Sequence, residues 1–150
     1  MAYRSTKTFG HELGLSACFR QWRATHSHCS LLHGYALSFK FVFEAETLDD
    51  RNWVMDFGGL KDLKQRLVND FDHKLVVAAD DPQLDEICQL AGIGIADVRV
   101  EADVGCEAFA RIGWEHANIV IHGLGMSDRV KVISCECAEH GANSAIYLAE

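Results

Sequence analysis

Tyr35-Ala36-Leu37-Ser38-Phe39-Lys40-Phe41-Val42-Phe43-Glu44-Ala45-Glu46 is the stretch around which the rest of the chain is organised. Leu37, Phe39, Phe41 and Phe43 alternate with Ser38, Lys40 and Val42. Side chains two apart on a strand share a face, so this is a half-buried antiparallel strand with a phenylalanine-rich side turned to a core. The ten residues from His26 to Tyr35, His26-Ser27-His28-Cys29-Ser30-Leu31-Leu32-His33-Gly34-Tyr35, carry three imidazoles and a thiol. Neutral imidazole and thiolate are preferred zinc ligands, and a thiolate is also a nucleophile or base. The strand period places His33 and Tyr35 side by side on one surface. A lone histidine in a loop is ordinarily solvated. A cluster this dense, running into a strand, reads as a functional site.

Working outward, Tyr3 to Phe19 has β-formers at Thr6, Thr8, Phe9 and Phe19 and reads as one long or broken strand. Asp56, a good N-cap, opens a helix with Leu60, Leu63, Leu67 and Phe71 on one side. Pro82 starts a short polar helix that stops at Gly92-Ile93-Gly94. Asp97 to Ala102 fits a short strand. A second main helix is expected from about Gly105 to Val120, with Phe109, Ile112, His116 and Ile119 at core spacing. Arg129 to Glu139 reads as a strand and Ala145 to Leu148 as its partner. The expected fold class is α+β: a four-stranded antiparallel sheet with two main helices on one face. Two helices should not hide the whole phenylalanine face, and an uncovered apolar face drives oligomerisation.

The chain of 150 residues is expected to form a single domain over residues 1–150. Apolar residues make up 49% and charged residues 24%, with one proline, which is globular composition. The net charge of −8 argues against a nucleic-acid surface, which needs a basic stripe. No apolar run is long enough for a membrane span, and Met1 to Lys7 lacks the apolar core of a signal peptide. A cytoplasmic protein is therefore expected, with its six cysteines as thiols. Cys135 and Cys137 are either metal ligands or small buried residues.

Five motifs, in order, carry a resemblance: Cys29-Ser30-Leu31-Leu32-His33-Gly34-Tyr35; Trp53-Val54-Met55-Asp56-Phe57-Gly58-Gly59-Leu60-Lys61; Phe71-Asp72-His73; Gly105-Cys106-Glu107; and Cys137-Ala138-Glu139-His140. They resemble the 6-pyruvoyl-tetrahydropterin synthase family, which includes the bacterial 6-carboxytetrahydropterin synthases of queuosine biosynthesis. The segment Leu75 to Val104 looks inserted relative to shorter members. The resemblance implies the tunnelling fold, in which subunits pool their sheets into a barrel and active sites form between them. A homohexamer of two stacked trimers is expected.

It also implies a lyase acting on a small reduced pterin, dihydroneopterin triphosphate. Cys29 corresponds to the catalytic cysteine, a base in its thiolate form. Asp72 and His73 correspond to the pair in which the carboxylate tunes an imidazole for proton transfer. Glu139 corresponds to the glutamate that accepts two N–H bonds from the pterin edge. Glu107 corresponds to a helix-start glutamate, a substrate contact or a capping-box residue. The family holds Zn2+ through three histidines, one ending the first strand and two in His-Gly-His. Here Tyr35 stands at the second of that pair, and a nearly gapless alignment puts Phe19 at the first-strand position. One Zn2+ per chain is still expected, on a site rebuilt from His33 with His11 and His28. The alternative is a non-catalytic oligomer that binds a pterin or purine with a degenerate zinc site.

Overall fold

The computed structural model describes residues 1–150. Seven strands form the sheet: β1 (Tyr3–Phe9), β2 (Leu15–Phe19), β3 (His33–Ala45), β4 (Lys74–Ala78), β5 (Val98–Glu101), β6 (Lys131–His140) and β7 (Asn143–Leu148). The helices are α1 (Lys61–Phe71), α2 (Leu84–Gly92) and α3 (Cys106–Gly123). The strand order is β5-β4-β2-β3-β6-β7, and β1 also pairs with β3. The alternating stretch is the hub. Its first half pairs antiparallel with β2 (Phe19 opposite His33), its second half with β1 (Phe9 opposite Phe39), and its other edge with β6 (Phe39 opposite Cys137).

The sheet is thus larger than the four antiparallel strands expected. The 3–19 segment breaks into β1 and β2 at a short helical turn, His11–Leu13, closed by Gly14 at φ 72. Lys74–Ala78 and Val98–Glu101 add two strands parallel to β2. All four apolar residues of β4, Leu75 to Ala78, are buried, as parallel strands covered on both faces are. Val76 and Ala78 face the main core, whereas Leu75 and Val77 pack with Ile87 of α2 on the other side.

Asp56 caps as expected, accepting from the Gly58 N–H at 2.8 Å, but the turn it opens is Phe57–Leu60, which leads into α1. Leu63, Leu67 and Phe71 of α1 and Phe109, Ile112, Ala117 and Val120 of α3 cover the β3 row. Ile119, placed by spacing on the core side, is exposed. Leu37, Phe39, Phe41 and Phe43 are fully buried within one chain, so two helices do hide that face. The reason is close approach. A Cβ on Gly113 of α3 would lie 2.7 Å from Cys135 Sγ and 3.2 Å from Phe39 Cδ1. Gly113→Ala should gain up to ~1 kcal/mol of helix propensity but lose about 1–3 kcal/mol to overpacking. A thermal melt is expected to show a net drop of a few degrees, since each kcal/mol moves Tm by roughly 2–4 °C in a chain of this size. No helix is long and apolar enough to cross a membrane.

Candidate functional site

The core rows continue past the helices and become the site. On β3 the row Phe43, Phe41, Phe39, Leu37 runs on to Tyr35 and His33, which are only partly buried. On β6 the buried Cys135 and Cys137 are followed two residues on by Glu139, which sits at a bulge between Ala138 and His140. A chain of rings links core to site: Phe39 to Phe71 (5.1 Å between centroids), Phe71 to Phe109 (5.0 Å), Phe109 to Phe19 (5.0 Å) and Phe19 to His33 (5.3 Å). Tyr35 lies 5.4 Å from His33, 6.1 Å from Phe19 and 5.9 Å from His140.

Tyr35 is the meeting point. Burial pushes its phenol up, and the nearby Glu139 carboxylate, with any ionised form of the Cys29 and Cys106 thiols, pushes it further. Those groups arrive from separate elements: β6, the turn His28–Ser30, and the first residue of α3. Glu139 is half-buried and its carboxylate makes no hydrogen bond within the chain. Cys29 is exposed; its N–H is held by Ser27 Oγ at 3.0 Å and its carbonyl by the Gln21 N–H at 2.9 Å. Beneath them, the Cys137 thiol is held well above its ordinary value by its contact with Cys106 and by burial. Burial also raises Cys135. Both stay protonated and serve as core.

Asp72 and His73 are adjacent but elsewhere. His73 Nδ1 meets Asp72 Oδ1 at 2.8 Å, on a residue held in left-handed backbone at φ 57. A carboxylate only accepts, so Nδ1 donates this bond, and in the neutral imidazole Nε2 is the acceptor. Asp72 Oδ1 also accepts from the Ser16 N–H at 3.4 Å. Ser16 and Phe19 are three residues apart, roughly 10 Å of strand, and Cys29 lies beyond Phe19. The His73 side chain is 83% exposed. One chain therefore does not bring this pair to Cys29.

The expected metal ligands are not gathered. No three His, Cys, Asp or Glu side chains are disposed to hold a metal ion. His11 Nδ1 is bound to the Ala36 carbonyl at 2.5 Å, three residues along β3 from His33. His33 Nδ1 is bound to the Leu31 carbonyl at 2.7 Å, and His28 is exposed on its turn. With Tyr35 and Phe19 supplying a phenol and a hydrocarbon ring, the donor set does not fit the three-ligand zinc site of a catalytic centre. Cys135 and Cys137, the other candidate ligands, are buried thiols.

Glu107 is exposed in the first turn of α3, where Gly105 caps through backbone alone. It lines a cleft of about 420 Å³ with Gln21, Val104, Arg111 and Tyr147. The largest cavity, about 610 Å³, lies at the far end of β3 between Tyr3 and Trp53. Motif reading passed over Cys106 and His140 as site components. Both border Tyr35 and directly neighbour Glu107 and Glu139 in sequence, which is the local signal for them.

The profile of the family described as "6-pyruvoyl tetrahydropterin synthase" matches residues 10–150. Over 166 aligned residues the chain is 24% identical to a 6-carboxy-5,6,7,8-tetrahydropterin synthase of Aquifex aeolicus, covering all of both chains. Among solved structures, it resembles an uncharacterised protein of Wolinella succinogenes (TM-score 0.79, 22% identity, 100% of this chain and 99% of that one). It also resembles the 6-pyruvoyltetrahydropterin synthase of Plasmodium vivax (TM-score 0.70, 11% identity, 98% and 97%).

Proposed function

The chain belongs to the 6-pyruvoyl tetrahydropterin synthase family, and we propose that it is a lyase acting on dihydroneopterin triphosphate to form a 6-carboxy- or 6-pyruvoyl-tetrahydropterin. The observation that carries this is the unpartnered Glu139 carboxylate at the end of the sheet where Tyr35 feels both it and the Cys29 thiol. A half-buried carboxylate with open lone pairs suits the paired N–H edge of a pterin. Such an anchor turns the pterin side chain toward the exposed Cys29, which as thiolate takes a proton from it. The Aquifex relative's name favours the 6-carboxy product. Product analysis after incubation with dihydroneopterin triphosphate tests this. Binding without any new product would leave the second reading, a pterin-binding oligomer, which the ungathered zinc ligands favour.

Asp72 and His73 enter the reaction in this reading from a second copy. The exposed His73 ring, with Nδ1 tied to Asp72, suits proton transfer through Nε2 once a neighbour covers it. Three strands have an open edge for assembly, since β1 pairs only with β3, β5 only with β4 and β7 only with β6. Light scattering at micromolar concentration is expected to give a homohexamer. A monomer would remove the source of the second proton-transfer pair.

A further inference from the structure

Arg20 directly follows β2 and makes four hydrogen bonds. Its Nε donates to Asp81 Oδ2 at 2.9 Å and its Nη2 to Asp81 Oδ1 at 2.6 Å, a two-pronged grip on one carboxylate. Nη2 also reaches Gln83 Oε1 at 2.6 Å, and Nη1 donates to the Ser30 carbonyl at 3.1 Å. Ser30 is the residue after Cys29. The Asp81 side chain is 1% exposed and that of Arg20 18%, so salt screens this pair little. The preceding Asp80 accepts from Trp22 Nε1 at 3.2 Å and Arg23 Nη2 at 2.7 Å.

Two successive carboxylates between β4 and α2 thus grip residues 20, 22 and 23, and Arg20 passes that grip on to the Cys29 turn. The turn's other bonds are mostly local, from the Cys29 N–H to Ser27 Oγ and from Ser30 Oγ to the Ser27 carbonyl. Gln21, which fixes the Cys29 carbonyl, is itself part of the gripped stretch. An ion pair serving stability alone needs no arm to Ser30. The planar fork of arginine can hold Asp81 and Ser30 at once, whereas a lysine offers one point charge.

We infer that Arg20 and Asp81 are positioning residues, through which the segment between β4 and α2 fixes the Cys29 turn for proton transfer. This rests on the reading of Cys29 given above. The test uses R20K and D81N in the full chain, beside C29A. Two quantities are read: the pH profile of Cys29 alkylation by iodoacetamide, followed by peptide mass spectrometry, and kcat and KM on dihydroneopterin triphosphate. A misplaced reacting group loses up to roughly 10²-fold in rate. Both variants should therefore lower kcat about tenfold or more, leave KM within about twofold, and shift the Cys29 alkylation profile while Cys88 alkylates as before. Wild-type kcat and profile in both variants, with C29A inactive, would overturn the inference and leave the function standing. Full turnover in C29A would overturn the catalytic role of Cys29, and with it the proton-transfer purpose inferred here, while leaving the lyase activity standing. D81N removes the counter-charge of Arg20 but keeps its bonds to Gln83 and Ser30; R20K keeps the charge pair, and its profile carries the result if D81N does not fold.

Discussion

Cys29→Ala is expected to lower turnover by roughly 10²–10⁴-fold, the usual contribution of a positioned acid or base, and to leave pterin affinity nearly intact. The thiol is exposed and packs against nothing that its loss would collapse. Its turn is held through backbone groups, by Ser27 Oγ and Gln21, which alanine retains. A change confined to kcat marks a group used in the transition state and not in ground-state binding. Single-turnover product analysis beside a pterin fluorescence titration checks it. Unchanged turnover would make Cys29 an ordinary surface thiol.

Glu139→Gln should do the opposite. The carboxylate has no partner within the chain, so its lone pairs are available to a ligand. Charge-assisted hydrogen bonds contribute about 1.5–3 kcal/mol each. Glutamine keeps the shape but sets an N–H donor against a donor of the pterin edge. At roughly tenfold per 1.4 kcal/mol, affinity should fall by one to several orders of magnitude. The same fluorescence titration reads it, and unchanged binding would show that the pterin lies elsewhere.

Alternation made β3 legible, and its register carried His33 and Tyr35 to one spot without any tertiary information. The α1 face was equally plain, because leucines at helical spacing have one way to be buried. β4 was not legible. A five-residue strand buried on both faces has no alternation, and it follows α1 after a two-residue break whose signal is the left-handed backbone of His73. The oligomerisation argument from the phenylalanine face failed on a packing detail: Gly113 lets α3 come close enough to seal that face. In the site, His11 and His28 matched in residue type but not in place. Strand register separates His11 from His33, and the exposed turn holds His28 apart. The grip of Asp81 on Arg20 spans 61 positions and leaves no local period to read.

Because the β3 row that fills the core is also the row that presents His33 and Tyr35, the length of this strand is locked. Losing one residue between Tyr35 and Leu37 would turn every side chain on one side of the cut to the opposite face. Either the phenylalanines stay inside and the two rings leave the site, or the rings stay and four large apolar groups meet water. Growth and loss of chain are tolerable only where no such shared row exists. The β4–β5 edge, hung on the sheet through the short β2, is a place of that kind, and there the chain can lengthen without disturbing the parity of the central strand.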